Sequence, residues 1–415
     1  MGSALAQLPP TLVSDWVSGA GSIQRYDATT GQYLGTFGAG FVSGPLGIAY
    51  GPNGDVLVAS YSSDRITRFD AVTGQYKGQF GTGFFSNAEG LAMGPDNLVY
   101  VASNGTNNVV RFDPVTGQYK GTLGAGFVNG PAGVRFGPDG TLYVMSFSGG
   151  NVTRFVPQTG QYKGQFGAGF LSSPWDAEFG ADGYLHVTSV GGPHVMRFNA
   201  ATGQYAGVYG TGFVNGAVGI TQAPNQMMNV GSLDFGWVTR LQTNGKYEGY
   251  YGWTFLQSPY FLQAAPMARG NIDLQDWVGD TTLITATIEI RKPGTTTPIR
   301  TLTTQLTSSG NFTIPATLNG TFDIGIKATH WLRKTLTNVF IPSSGRVGLN
   351  VSLINGDCDG DNTVTVFDYD LLSTAFDSNL GDPGYDPNAD LDGDKSVTVF
   401  DYDILSTNFD LSGDN

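Results

Sequence analysis

The stretch Pro45–Phe84, PLGIAYGPNGDVLVASYSSDRITRFDAVTGQYKGQFGTGF, decides the fold. It contains four short apolar or alternating runs: GIAY, DVLVAS, RITRFD and QYKGQF. Gly, Pro, Asn and Asp clusters such as GPNGD and AVTG separate them, and these are turn formers for known backbone reasons. The unit therefore reads as four antiparallel strands. It also recurs. The Gly of TGQY, or of its relative TNGKY, stands at 31, 74, 117, 160, 203 and 245, in steps of 43, 43, 43, 43 and 42. Four strands in a repeat of this length are the sequence sign of a β-propeller blade.

The ends decide how the ring closes. The N-terminal piece, LVSDWVSGAGSIQRYDATTGQYLGTFG, supplies only the last three strands of a blade. SPYFLQAAP, Ser258–Pro266, matches the blade-opening segment SPWDAEFGA, Ser173–Ala181. The two pieces are expected to share blade one, giving a six-bladed β-propeller over residues 11–266 without an exposed sheet edge.

Each blade resembles the NHL repeat, a resemblance carried by GTLYVMS, Gly140–Ser146, in one blade and DRITRFDAVTGQYKGQFG, Asp64–Gly81, in another. The resemblance implies a fold and leaves function open. Arg25, Arg68, Arg111, Arg154, Arg197 and Arg240 occupy one column, each with a Tyr seven or eight residues on. Either this is an anion-binding ring, or each Arg stacks on the Tyr of the next strand to support its blade.

Related six-bladed rings include enzymes: peptidylglycine amidating lyases with a histidine-bound metal, and gluconolactonase relatives with carboxylates around calcium. Such sites lie at the mouth of the central channel. The columns opening the innermost strands here read Leu46-Gly47, Glu89-Gly90, Ala132-Gly133, Trp175-Asp176, Val218-Gly219 and Tyr260-Phe261. Only Glu89 and Asp176 offer carboxylates, and the three histidines are scattered. Ser60, Ser103, Ser146, Ser189 and Ser232 form another column with no base beside them, so a Ser nucleophile lacks activation. This reads as non-catalytic. Glu89, Trp175, Asp176 and Tyr260 remain candidates for ligand binding, because aromatic rings beside carboxyl groups suit a sugar. The alternative is drift at an exposed rim.

From about Met267 the repeat stops. Thr alternates with Ile, Leu and Val through LITATIEIR, TLTTQL, NFTIPA, FDIGIKA, KTLTNVFI and RVGLNVSL. The pattern predicts a β-sandwich over 267–353. SSGNFTIPATLNGTFDIGIKATHWLRK resembles the carboxypeptidase regulatory-like sandwiches.

The tail, 354–415, nearly repeats itself: DCDGDNTVTVFDYDLLSTAFD from Asp357 and DLDGDKSVTVFDYDILSTNFD from Asp390. Asp357, Asp359, Asp361 and Asp368, then Asp390, Asp392, Asp394 and Asp401, fall at loop positions 1, 3, 5 and 12. Position 7 offers a carbonyl from Thr363 or Ser396, and position 9, Thr365 or Thr398, a water. This is the ligand order of an EF-hand-type loop for a hard cation, and predicts two calcium ions. Asn362 and Lys395 stand at position 6, where a left-handed backbone is needed. The penalty there falls on Lys, at about 1 kcal/mol. The tandem, each loop running into a short helix, resembles a type I dockerin. That resemblance implies a cohesin-like partner chosen through positions 10 and 11, here Val366-Phe367 and Val399-Phe400. Only Ile354-Asn355-Gly356 joins the last sandwich strand to the first loop, so packing in cis on the β-sandwich is the competing expectation, with one Phe buried and the other left free.

Charge agrees with this division. Residues 355–415 hold 15 Asp and one Lys, while the rest holds 20 Lys and Arg against 19 Asp and Glu. No basic face suggests nucleic acid, and no apolar run is long enough to span a membrane. One cysteine, Cys358, rules out an internal disulfide. Ala4-Leu5-Ala6 resembles the end of a signal peptide. The sequence thus reads as a mainly β, secreted or surface protein of a bacterium, built for calcium-dependent docking or self-association. Polysaccharide binding at the channel mouth and a lactonase- or lyase-like propeller are the alternatives.

Overall fold

The computed structural model describes residues 10–17, 20–192 and 194–415; the signal-peptide-like Ala4–Ala6 lies outside them. The chain divides into two compact units. The first runs to Met267 and also takes in Pro315–Gly320 and Phe340–Gly345.

Among the described residues of the first unit are six four-stranded antiparallel sheets. Blade two is typical, with strands Pro45–Tyr50, Asp55–Ser60, Arg65–Asp70 and Tyr76–Phe80 from the innermost outward. Its first two strands are buried at every residue. The turn between the outer strands follows from its residues. Asp70 Oδ1 accepts the N–H groups of Val72 (3.0 Å) and Thr73 (2.8 Å), and Gly74 closes the turn at φ +72°. Those bonds, led by the one from Thr73, hold the Asp70 carboxyl below its ordinary range. Blade one combines Thr11–Val17, Ala20–Tyr26 and Tyr33–Phe37 with Pro259–Gln263, which pairs antiparallel with Thr11–Val17. Asp15 Oδ1 fastens this joint by accepting the N–H groups of Gln257 (3.0 Å) and Ser258 (2.9 Å).

The blades are held to one another by repeated contacts that differ from the Arg–Tyr stack expected. Arg111 donates to Pro157 O (3.2 Å), Arg154 to Ala201 O (2.8 Å) and Arg240 to Thr29 O (2.8 Å). These three guanidinium groups reach the outer turn of the next blade, while Arg25 and Arg197 donate within their own blades to Leu34 O and Ala206 O. The tyrosines stack instead on a Phe from the preceding blade's last loop. Six such pairs complete the ring, from Phe41–Tyr76 (4.4 Å) to Phe255–Tyr33 (4.1 Å). Ser103 of the serine column is also used structurally: its Oγ donates to Ser86 O at 3.1 Å.

The glycine column of the innermost strands has a steric cause. A Cβ on Gly47 would lie 2.5 Å from Glu89 O, one on Gly133 2.5 Å from Trp175 O, and one on Gly219 2.6 Å from Phe261 Cα. The innermost strands meet backbone to backbone, which only glycine permits.

In the second unit, Asn311–Pro315, Met267–Leu274 and Val351–Leu353 form one sheet, with the last pair parallel. Pro298–Gln305, Thr285–Arg291, Gly320–Ala328 and Lys334–Ile341 form another. Helices α1 (Val366–Ala375) and α2 (Val399–Thr407) follow. Their core of Cys358, Val364, Leu372, Val397 and Leu405 also takes in Leu332 from the preceding strand region. The C-terminal residues bind there too: Asp414 N–H donates to Arg333 O (2.8 Å), and Asp414 Oδ2 accepts Thr335 N–H (2.8 Å). Among the described residues no helix is long and apolar enough to cross a membrane.

Candidate metal centre and channel mouth

Each acidic loop brings three carboxylates together. One oxygen from each of Asp357, Asp359 and Asp361 lies within 4.8 Å of the others, and Asp390, Asp392 and Asp394 do the same. The backbone makes this possible by turning left-handed at Asn362 (φ +76°) and Lys395 (φ +77°), the conformation expected at position 6. Val364 and Val397, one residue beyond the carbonyl position, are fully buried and anchor each loop.

The position-12 carboxylates stand apart from these triads, on the first turn of each helix. Asp368 Oδ1 accepts Asp359 N–H (3.1 Å) and Oδ2 accepts Thr365 N–H (2.7 Å). Asp401 repeats this with Asp392 (3.2 Å) and Thr398 (2.7 Å). Thr365 and Thr398 are helix N-caps, each accepting the N–H two residues on at 3.2 Å. Their hydroxyls thus also cap the helices. T-x-x-D before an apolar run is a capping-box pattern, and that signal was present in the sequence.

The donor set fits a hard divalent cation. It is all oxygen, and Asp357 supplies the decisive atom: its residue is fully buried, yet Oδ1 has no hydrogen-bond partner. Burial raises the Asp357, Asp392 and Asp401 carboxyls above their ordinary range. A bound cation would reverse that by favouring the charged form. Asp357, Asp359 and Asp361 would hold one ion and Asp390, Asp392 and Asp394 the other.

The residues expected to face a partner do not divide into one buried and one free pair. Val366 and Val399 are each 53% exposed, and Phe367 and Phe400 each 64%. Neither Phe is buried, because the module meets its neighbouring strands through other parts. These are the first loop, the C-terminal residues, and the second loop, where the Trp277 ring lies against Gly393 and Val278 N–H donates to Asp392 O at 2.8 Å.

At the channel mouth the structure joins three of the four candidates. Trp175 and Tyr260 rings lie 5.4 Å apart, and Trp16, Tyr61 and Phe147 extend the aromatic arc through contacts of 5.3–5.7 Å. Glu89 is buried beside Tyr260. Burial pushes its carboxyl up to about 8, and the Tyr260 hydroxyl is raised by burial and then by Glu89. Glu89 Oε2 and Trp175 Nε1 are buried without hydrogen-bond partners.

Asp176 does not belong to this group. It is fully buried, and its Oδ2 receives Arg135 (2.8 Å) and Ile220 N–H (3.3 Å). It is a structural ion pair of the innermost strands. Glu178 lies beside the pair, with its carboxyl raised by burial to about 7. Arg135 and Glu178 went unnoticed in the sequence, although their column (Ala49, Ala92, Arg135, Glu178, Thr221, Gln263) loses its small residue in four blades of six.

No protein-family model and no curated protein sequence matches the chain. Among solved structures it is similar to one titled a nidogen/laminin complex, with a TM-score of 0.51 and 15% identity over 61% of this chain and 97% of that one. It is also similar to a protein of unknown function from Bacteroides caccae, with a TM-score of 0.50 and 11% identity over 61% and 98%. A type II cohesin-X-dockerin complex from Acetivibrio cellulolyticus is 21% identical over 36% and 97%, at a TM-score of 0.30 too low to bear on the fold. At such identities the first two likenesses are of fold alone, and with the six repeated sheets they make the first unit a β-propeller.

Proposed function

We propose that this chain is a non-catalytic interaction protein working outside a bacterial cell. Its propeller, residues 11–266, presents a binding surface; a β-sandwich, 267–353, spaces it; and a dockerin-like module, 354–415, binds two calcium ions and docks a partner. One observation carries this reading: the twin Val-Phe pairs remain equally exposed, at 53% and 64%, although the module is packed in cis. Exposed apolar pairs repeated on one small module suit an interface. The partner is a cohesin-like domain, with self-association as the competing use of the same face. The test is titration of the calcium-loaded chain with purified cohesin domains, alongside sedimentation of the chain alone. Binding or self-association should vanish in the Phe367→Ala/Phe400→Ala double variant. A chain that is monomeric and binds no cohesin contradicts the docking role.

A second reading rests on the channel mouth. The Trp175 and Tyr260 rings, tilted 43° to each other, beside the uncommitted Glu89 Oε2 suit a sugar ring and its hydroxyls. This is the polysaccharide alternative, and titration with oligosaccharides while following Trp fluorescence tests it. A lactonase or lyase reading has less support, since Asp176 Oδ2 is paired with Arg135 and, among the described residues, no histidine pairs with it.

A further inference from the structure

The two acidic loops are nearly identical in sequence and in internal hydrogen bonding, but their position-1 carboxylates are held differently. Asp357 Oδ2 receives the ammonium of Lys327, on the Gly320–Ala328 strand, together with Asn362 N–H at 3.1 Å. Lys327 also donates to Trp331 O at 3.0 Å, so its position is fixed from two sides. Asp357 Oδ1 stays uncommitted. In the second loop, Asp390 Oδ2 receives only neutral donors, the Tyr385 hydroxyl at 2.6 Å and Lys395 N–H at 3.0 Å, and its Oδ1 receives Gly393 N–H at 2.9 Å. The Lys395 side chain is exposed, where water screens its charge.

We infer that Lys327 makes the two loops a graded pair: it supports the first loop without metal and weakens that loop for calcium, so the second loop fills first. The inference rests on the calcium reading proposed above. Two opposed effects of one charge produce the gradation. Without metal, the four aspartates of each loop repel one another. Lys327 offsets that repulsion in the first loop, and nothing of like charge is paired into the second. With metal, the ammonium lies one carboxylate away from a divalent ion and repels it. It does not block the ion, because Oδ1 is the oxygen left open. Lys327 is thus a positioning residue acting through Asp357.

Calorimetric titration of the full chain with calcium chloride tests this. Asp392→Asn/Asp394→Asn leaves only the first loop able to bind, and Asp359→Asn/Asp361→Asn only the second. The second loop alone is expected to bind at least tenfold more tightly than the first alone. Adding Lys327→Met should tighten the first loop at least fivefold and leave the second unchanged. In chelator, Lys327→Met should also lower the melting temperature of the second unit, a loss that calcium restores. Equal affinities of the two single-loop forms overturn the inference while leaving the calcium reading intact, and they can be measured even if Lys327→Met does not fold. A Lys327→Met first loop that binds no more tightly than before also overturns it. Absence of heat from either loop removes the calcium reading and the inference together.

Discussion

Glu89 and Arg135 show how a single buried charge governs the propeller. The Glu89 carboxyl is raised to about 8 by burial, so the folded chain favours its neutral form. The stability linked to that proton is fully present below about pH 4.5 and is lost as pH rises through about 8. Glu89→Gln fixes the neutral form. The variant should therefore melt above the wild type at pH 9, by on the order of 2 kcal/mol in stability, and match it near pH 5. Parallel melting curves at both pH values would contradict the burial argument. Arg135 is the reverse case, one cation compensating Asp176 at 2.8 Å and lying beside Glu178. Arg135→Met should cost about 3–5 kcal/mol in urea denaturation, because a carboxylate is left buried and unpaired. Adding Asp176→Asn and Glu178→Gln should recover part of that loss. Failure of the triple variant to recover anything would assign the cost to the lost Arg packing.

At the scale of elements, α1 and α2 present near-identical apolar first turns to solvent. Phe367→Ala and Phe400→Ala should each change stability by no more than about 0.5 kcal/mol, and by equal amounts, since both rings are 64% exposed. Thermal melts that differ by several degrees between the two would restore the asymmetric burial first expected. That expectation followed from the short joint, Ile354-Asn355-Gly356, which does bring the module onto neighbouring strands. The faces used could not be read from it, because Asp414, Asp357 and Leu332 find their partners across separate stretches of chain. What was legible was local. The repeated Asp-x-x-Thr-Gly turns mark strand ends through their own hydrogen bonds, and the alternate aspartates of each loop converge because one left-handed residue folds them inward. What was not legible was compensation at a distance. Arg135 in an innermost strand reads as an error of pattern until its partner 41 residues on is seen across the blade boundary. The Arg column was misread for the same reason: the carbonyl partners of Arg111 and Arg154 lie 46 and 47 residues away, in the next blade.

For the whole first unit, the ring depends on the pairing of Pro259–Gln263 with Thr11–Val17. Ending the chain at Leu256 removes that strand and both backbone N–H groups held by Asp15. The truncated chain should melt well below the intact propeller and self-associate in sedimentation, because the Thr11–Val17 edge is open. A monomer of unchanged melting temperature would show that the shared blade contributes little. The same joint sets a timetable for a chain emerging from the ribosome. Blades two to six are each contiguous in sequence and can form in turn as they appear. The first strands made cannot complete their sheet until the strand holding Phe261 is free, 247 residues after Ser14, whose Oγ accepts Phe261 N–H. At a synthesis rate of about 5–20 residues per second, the oldest part of the propeller waits for tens of seconds with an unpaired edge. During that interval it is the segment most in need of a chaperone, and the strand that follows blade six is what releases it.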